Sequence, residues 1–463
     1  MPVTTTHPDY RYWEDEWCKC RDAYNGQRAI KRAGQRYLPK LTGQSMREYD
    51  AYRKRALFYS ITSKTVGAMV GLACSKTPIV KYDQDMAPYF VENSGIQFHE
   101  AWSSSLTETL LMGRYGILVD RPKEGGKPYL RGYVAEDILN WKVDGQNKLI
   151  MAVLREYEYT EPDADPYNQE IQKVYRVLEL IDGEYFQTIY DERGGFIEKM
   201  QPLNTGSPMD FIPFFVVNPF GVGMETTKPP VLDIVDINIS HYITSADLEH
   251  GRHFTGLPTP VVTGAASDTV LRIGSMTAWI LPDKDCKAFY LEFKGEGLKS
   301  LERALDEKQS QLASLSARLI DNSRNGSESP DAVKLRYMSE TASLTTVVRA
   351  TEAFLNQVFK TVAIMESIDP NTVSIILDKE FLNMRMSAQD ILKLTESFLK
   401  GGMSAESYVF NLRRGDAIPA DRSDEDEIQS AEEARKLVSE AASLQAAKAE
   451  NRTAATLPSG PNN

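Results

Sequence analysis

The chain has 463 residues, of which 42% are apolar and 25% are charged, close to the averages of soluble globular proteins. At about 150 residues per domain, this length predicts two to four structural units. The 53 Lys and Arg residues and 65 Asp and Glu residues give a net charge of −12. A continuous basic face that wraps tightly around nucleic acid is therefore not expected.

The cysteines and the hydropathy pattern exclude further classes. The four cysteines form no CxxC pair, so neither a zinc site nor a secreted disulfide framework is predicted, and a reducing compartment fits best. The N-terminus has no apolar run after a basic start, so we expect no secretory signal. The longest uncharged apolar stretches, 65–75 and 211–224, are shorter than the roughly 20 residues of a membrane helix.

The first half of the chain predicts helices followed by an antiparallel sheet. Apolar residues at helical spacing predict one helix over 46–74 and another over about 98–115. From about 128 to 217, β-branched and aromatic residues alternate, with Asp-Gly turns at 144–145 and 182–183. The expected strands are 130–134, 149–159, 173–181 and 185–190.

Long helices dominate the next part of the chain. Pro229-Pro230 begins a predicted helix of about six turns that ends near Gly251. A β-leaning segment, 255–297, leads to a regular helix over 298–319 whose leucines alternate at three- and four-residue steps. Lys308 is the one polar residue of that stripe. At about 1.5 Å per residue, this helix is a rod on the order of 33 Å long.

The remaining segments predict a loop, a third long helix and a polar tail. The composition of 321–331 is typical of a flexible loop, and an apolar face then runs over 344–365. A short strand over 372–377 precedes a helical region with a break at Gly401-Gly402. From Ala420 the tail has nine acidic and five basic residues, and we expect its end to be frayed.

Motifs for catalysis and nucleotide binding are absent from the sequence. There is no GxxxxGK[ST], GxSxG, HExxH or EF-hand pattern. Gly221-Val222-Gly223 lacks the third glycine of a dinucleotide loop and is interpreted as a turn. We therefore predict no catalytic residue, no cofactor and no metal.

Three histidines leave an alternative open. His241, His250 and His253 lie on one predicted helix and at its C-terminal end, so a metal-dependent hydrolase could use them with Asp247 or Glu249. Packing or capping is favoured, because metal sites usually recruit further ligands and the dipole of a helix favours histidine at its C-terminus.

The order of the elements and several sequence stretches resemble the portal proteins of tailed bacteriophages. The most specific stretch, PPVLDIVDINISHYITSADLEHGRHFTGLPTPVVTG, is similar to a phage-portal family formerly described only as a domain of unknown function. Other matching stretches include TSKTVGAMVGLACSKTPIV, GRYGILVDRP, YLRGYVAEDILNWKV, AFYLEFKGEGLKSLERALDEKQSQLASLSARLI and SETASL. Together they cover most of residues 40–400.

This resemblance implies an α+β portal fold with a wing, a stem of two long helices, a clip and a small α-helical crown. Carried over by position, the segments are the wing (1–226 and 337–385), the first stem helix (227–254), the clip (255–297), the second stem helix (298–320), the tunnel loop (321–336), and the crown with a flexible acidic tail (386–463).

The resemblance also implies a function without enzymatic activity. Portal proteins form a twelve-subunit ring at one capsid vertex, and double-stranded DNA passes through its channel during packaging and ejection. The implied partners are other copies of the chain, the terminase large subunit, head-to-tail adaptor proteins, and the major capsid and scaffolding proteins, with no membrane. The implied location is the virion, after assembly in the bacterial cytoplasm. The missing nucleotide motif agrees with this, because a separate terminase supplies the ATP-driven motor.

The resemblance assigns roles to three sets of residues. The second stem helix is expected to line the channel or to form salt bridges between subunits, through Lys299, Arg303, Lys308 and Arg318. The tunnel loop is expected to touch phosphates briefly, since strong contacts would stall sliding; its basic residues are Arg324, Lys334 and Arg336, for which solubility is the alternative role.

The clip aromatic and apolar residues have two expected roles. Either they join subunits, or they form an ordinary small core; these residues are Trp279, Leu281, Phe289 and Tyr290. A ring-shaped adaptor without a DNA channel is a further alternative for the whole chain.

Overall fold

The computed structural model describes residues 3–90, 97–122, 125–160, 169–204, 206–256, 259–264, 287–291, 295–320, 342–379, 388–414 and 423–454, with a few single positions between them. These residues form helices and mostly antiparallel strands, so the α+β class is confirmed. They divide into two compact units, Met1–Lys379 and Glu380–Asn463. Within the described ranges, no helix is both long and apolar enough to cross a membrane.

The first unit begins with four helices: α1 (Pro8–Asn25), α2 (Gln27–Ala33), α3 (Met46–Arg55) and α4 (Ile61–Ala73). The prediction of one helix over 46–74 is therefore wrong. Ala56 takes an extended conformation (φ −55°, ψ 138°), and the N–H of Phe58 donates to the side chain of Gln27 at 3.2 Å. The apolar periodicity continues across the break because α3 and α4 both bury apolar residues.

A four-stranded antiparallel sheet follows, with the strand order β12-β11-β2-β3. Its strands are β2 (Tyr115–Asp120), β3 (Tyr129–Val134), β11 (Phe214–Asn218) and β12 (Gly221–Val222). Strand β2 is buried along its whole length, and two helices pack on this sheet, α5 (Gln97–Met112) and α8 (Ala342–Met365). A helix over about 98–115 was predicted, and α5 confirms it with an earlier end.

A second, five-stranded antiparallel sheet has the order β4-β5-β6-β7-β8. Its strands are β4 (Ile138–Val143), β5 (Leu149–Thr160), β6 (Glu170–Ile181), β7 (Glu184–Tyr190) and β8 (Phe196–Met200). The turn between β6 and β7 places both Asp182 and Gly183 at positive φ, as a two-residue hairpin requires. The predicted hairpins are confirmed, but the division into two sheets was not predicted, because alternation looks the same in both.

A buried polar layer joins the two sheets. The Nε of Arg176 on β6 donates to Glu156 on β5 at 2.7 Å, and its Nη1 donates to the amide oxygen of Gln187 on β7. The Gln187 amide donates in turn to Asp120 on β2 at 3.0 Å. Glu156 also accepts from Tyr133 on β3 and is 1% exposed at its side chain. Each charged group of this inter-sheet layer therefore has a partner.

Two smaller strand pairs also belong to the first unit. Strand β1 (Ile79–Lys81) pairs with β15 (Ser374–Ile376), within the predicted strand 372–377. The side-chain amide of Asn356 on α8 donates to the carbonyl of Ile375 at 2.8 Å and accepts from its N–H at 3.0 Å. Asn356 therefore pairs with the free edge of β15 as a neighbouring strand would. A small hairpin is formed by β9 (Leu203–Asn204) and β10 (Ser207–Pro208).

The second unit is helical in its described residues: α9 (Ala388–Leu399), α10 (Ala405–Arg414) and α11 (Asp424–Ala454). The predicted break at Gly401-Gly402 is confirmed, and Gly401 lies at φ 83°. The end of the tail, which is expected to be frayed, lies outside the described residues, whereas Asp424–Ala454 form α11. Ser423 accepts from the N–H of Asp426 at 3.1 Å, and acidic residues fill the first turn, where the helix dipole favours them.

Candidate functional site

Two long helices of the first unit form an antiparallel pair: α6 (Leu232–Gly256) and α7 (Leu298–Ile320). Arg252 of α6 donates to Glu302 of α7 at 2.9 Å, and farther along Lys308 of α7 donates to the carbonyl of Ser240 at 3.3 Å. The two helices therefore run in opposite directions. The helix predicted over 298–319 is confirmed, whereas α6 begins after Pro230 and continues beyond Gly251.

Gly251 does not end its helix, contrary to the sequence expectation. A Cβ at this position would lie 2.5 Å from a methyl carbon of Leu298, so a larger residue would require the Leu298 side chain to move. The hydroxyl of Thr255 bonds back to the Gly251 carbonyl at 2.8 Å. This glycine is explained by the close approach of the two helices.

The leucine stripe of α7 is turned inward over part of its length. Leu312 is buried, Leu301 and Leu305 are half-buried, and α7 also packs against α4. On α6, Ala246 and Leu248 are buried. The rod predicted from the stripe thus has apolar partners within its own chain.

Lys308, the polar position of that stripe, is held by α6. Its Nζ donates to the carbonyl of Ser240 and to the hydroxyl of Thr244 in the same chain. Burial, and then the charge of Lys308, lower the pKa of His241, which is 3% exposed. The sequence predicted Lys308 as a residue of the channel or the subunit interface, whereas its observed contacts are to α6.

The other predicted channel residues are distributed differently. Lys299 is exposed, and Arg303 is 82% exposed at its side chain, with its Nε 3.2 Å from Glu307 one turn later. Arg318 belongs to α7, but its side chain lies outside the described part of the structure. The predicted loop residues Arg324, Lys334 and Arg336 also lie outside the described residues.

A two-stranded ribbon lies between α6 and α7 in the chain. Strand β13 (Thr259–Thr263) pairs antiparallel with β14 (Lys287–Leu291), and Val261 is opposite Phe289. Phe289 is 50% exposed and Tyr290 is 57% exposed; as neighbours on a strand, they point to opposite faces. Two strands alone are marginally stable in water. Trp279 and Leu281 lie outside the described residues.

The three histidines pack against aromatic rings, and His250 and His253 share the ring of Phe254. The His241 ring contacts that of Tyr59, with ring centres 5.3 Å apart, and the His250 ring lies 5.2 Å from that of Tyr52. The His253 ring meets that of Phe254 at 5.6 Å. These contacts are those of the favoured packing interpretation.

The carboxylates proposed for a metal site have other partners. Asp247 accepts from the Tyr52 hydroxyl at 2.6 Å, and Glu249 accepts from Arg252 at 3.0 Å. In the part of the chain that the structure describes, no group of three His, Cys, Asp or Glu residues is placed to hold a metal ion.

A comparison with protein families matches the segment that contains the α6–α7 helix pair. A family described as a domain of unknown function, DUF4055, matches residues 230–364, which include α6, the ribbon, α7 and most of α8. No curated protein matches the sequence.

Several solved particle structures are similar to the chain at low identity. One is the neck of an empty gene transfer agent particle computed with C6 symmetry, at 12% identity and a TM-score of 0.39, covering 86% of this chain and 100% of the other. A virion of a native gene transfer agent particle is 12% identical with a TM-score of 0.38, covering 81% of this chain and 93% of the other. The neck of a native particle computed with C12 symmetry is 13% identical with a TM-score of 0.38, covering 76% of this chain and 89% of the other. At these TM-scores the similarity carries no argument, and function is argued below from the chain itself.

Proposed function

We propose that the chain is the subunit of a phage-type portal, a ring of about twelve copies whose axial channel carries double-stranded DNA. The observation that carries this proposal is the order α6, ribbon, α7, α8 within one α+β unit. A long antiparallel helix pair that joins a body to an exposed ribbon is the arrangement expected of a stem with a clip. The sequence resemblance to portal proteins supports the same assignment.

In this proposal, the exposed side of α7 faces the channel. Lys299 and Arg303 alternate there with Glu302, Asp306 and Glu307, all exposed. A surface with both signs of charge cannot hold many phosphates at once, and phosphate contacts dominate DNA affinity. DNA would therefore slide past α7 rather than remain bound to it. Lys308 contributes by fixing α7 against α6.

The ribbon would join neighbouring subunits and present the docking face. Its aromatic residues, Phe289 and Tyr290, are exposed on opposite faces, so a neighbour on either side would bury one of them. That burial would stabilise a hairpin that is marginal alone. The outer end of the clip would then dock the terminase large subunit and, after packaging, head-to-tail adaptor proteins. The 321–336 loop would form the narrowest ring, and 386–463 the crown.

The first test is the quaternary state of the purified full-length chain. Negative-stain electron microscopy with mass determination should show rings of about twelve subunits with an open axis. A monomer or dimer at every salt concentration would contradict the proposal, and rings with a closed axis would favour an adaptor without a DNA channel.

A second test concerns the loop. The variant Arg324→Glu/Lys334→Glu should form rings but retain less packaged DNA, because phosphate contacts at the narrowest point become repulsive. The matched control is Lys142→Glu/Arg193→Glu, which makes the same charge change at an exposed position of β4 and in the exposed turn between β7 and β8. Nuclease-protected DNA is the readout, and normal packaging by the loop variant would remove this loop from the mechanism.

The metal-dependent hydrolase remains testable as the alternative. Stoichiometric metal in the purified protein, lost in a His250→Ala/His253→Ala variant, would favour it. We expect no stoichiometric metal in either protein.

A further inference from the structure

The N-terminal helices of this acidic protein carry a concentrated positive charge. Residues 27–55, from the start of α2 to the end of α3, contain two acidic residues and nine basic ones. The local net charge is +7, whereas that of the whole chain is −12. The basic residues are Arg28, Lys31, Arg32, Arg36, Lys40, Arg47, Arg53, Lys54 and Arg55, which we call the basic surface.

Among the described residues, most of these charges form no ion pair. Arg36 contacts Asp15 at 2.7 Å, and Arg53 contacts Asp50 at 3.0 Å. By contrast, Arg28, Arg32, Arg47 and Lys54 are exposed and have no acidic partner among the described residues. Their charge is available to a ligand.

The basic side chains are also held close together. Lys31 at the end of α2 donates to the carbonyl of Lys54 at 3.0 Å, and Arg53 donates to the carbonyl of Lys31 at 3.2 Å. Burial, and then the positive charge of Arg53, lower the pKa of Lys31. Like charges brought together in this way repel, and a bound polyanion would relieve the repulsion.

Helix stability explains some of these residues but not all. Lys31, Arg32 and the run from Arg53 to Arg55 lie in the last turns of α2 and α3, where the helix dipole favours cations. Arg28 and Arg47 occupy the second position of each helix, where the same dipole disfavours a cation. Their positions therefore oppose helix stability and require another reason.

We propose that the basic surface binds the phosphate backbone of duplex DNA at a site separate from the channel. Arginine suits phosphate because its planar guanidinium can donate two parallel hydrogen bonds. The ten residues of α3 span about 15 Å, along which a duplex presents several phosphates. Cations spread over two helices can contact several phosphates of a duplex at once, whereas a single acidic side chain could pair with only one or two of them. This inference rests on the proposed function for the reason why DNA is the polyanion that the protein meets and for the ring that repeats the site.

A ring would multiply this site. Each subunit would offer a few phosphate contacts, which are weak and independent of sequence. Twelve copies around one axis could engage the same duplex, and linked weak sites gain affinity without new contacts. The basic surface would then hold DNA beside the ring while the channel stays permissive to sliding.

Small relaxed DNA circles test this site, because a closed circle cannot thread a closed ring. Binding by the full-length protein is measured by gel shift and fluorescence anisotropy over a salt series. The variant Arg28→Glu/Arg47→Glu should lose at least about tenfold in affinity, and the slope of log affinity against log salt should fall by about two. The control Lys142→Glu/Arg193→Glu has the same net charge and should stay within about twofold of the parent.

This variant is chosen so that unfolding cannot imitate the expected result. Both substitutions place a carboxylate in the first turn of a helix, where it is favourable, so the thermal midpoint should not fall. Circular dichroism checks this point. Equal binding by variant and control overturns the proposal, as does an equal loss in both. Binding of poly-glutamate but not of DNA circles, lost in the variant, overturns it in favour of an acidic protein partner.

The two proposals fail separately. Negative-stain images of the same preparations report on the ring. Rings without variant-sensitive binding of circles would refute the basic surface alone. Variant-sensitive binding by a chain that never forms rings would support the basic surface and refute the portal.

Discussion

Two groups of charged residues in the first unit follow opposite rules. In the inter-sheet layer, Arg176 is 7% exposed at its side chain and bonds to Glu156 and Gln187. On the basic surface, Arg28 and Arg47 are exposed and have no acidic partner in the described residues. A buried charge without a partner destabilises the fold, because desolvation of each ion takes several kcal/mol. An exposed charge needs no partner, so a surface that concentrates unpaired charge indicates binding rather than folding.

The largest effect is expected from removing a charged partner from the inter-sheet layer. Glu156→Gln should lower the free energy of unfolding by about 2–3 kcal/mol, because Arg176 and Arg131 lose the carboxylate they share and Asp120, 3.6 Å away, is the remaining charged partner of Arg176. Chemical denaturation measures the loss. The control is Glu158→Gln, at an exposed position of the same strand, which should change stability by less than about 0.5 kcal/mol. Equal stabilities of the two variants would mean that the layer does not hold the sheets together.

Lys308 is an intermediate case, since it is half-buried and its observed partners are neutral oxygens. Lys308→Met should lower the free energy of unfolding by about 1–2 kcal/mol, because Thr244 and the Ser240 carbonyl lose a donor. Denaturation midpoints measure this loss, and Lys299→Met, at an exposed position of α7, is the control. A channel role for Lys308 would instead lower DNA packaging at unchanged stability.

The pH dependence of stability tests the same buried environment. The pKa of His241 is lowered in the folded chain, so the unfolded chain takes up a proton first as pH falls through 6.5. Stability is thus fully present above that pH and declines as pH falls toward the folded pKa. We expect the thermal midpoint to drop less between pH 7 and pH 5 in His241→Gln than in the parent. An identical drop would show that His241 does not contribute.

The sequence predicted the parts of the fold that local patterns specify. The spacing of the leucines in α7 is that of an amphipathic helix, and the turn at 182–183 requires residues that accept positive φ, as Asp-Gly does. The break between α3 and α4 was missed because it depends on Phe58 bonding to Gln27, a contact with another helix. Gly251 was taken for a helix end because the packing of Leu298 against it cannot be read from spacing.

The candidate site divides in the same way. The helix pair and the ribbon could be placed from sequence, but the contacts of Lys308 could not, since they depend on how two helices meet. The basic surface was visible in the sequence, yet a net charge taken over the whole chain concealed it. Charge must be examined by segment, because binding depends on the local field.

The smallest predicted effect concerns Arg47 on the basic surface. Arg47→Glu should raise the free energy of unfolding by about 0.3–1 kcal/mol, because it replaces an unfavourable cation at the start of α3 with a favourable anion. Arg47→Lys, which keeps the charge, should leave stability unchanged, and thermal midpoints at low salt compare the two. A gain in stability together with a loss of DNA binding would show that Arg47 is retained at the expense of its helix. A loss of stability would instead mean that Arg47 serves the fold.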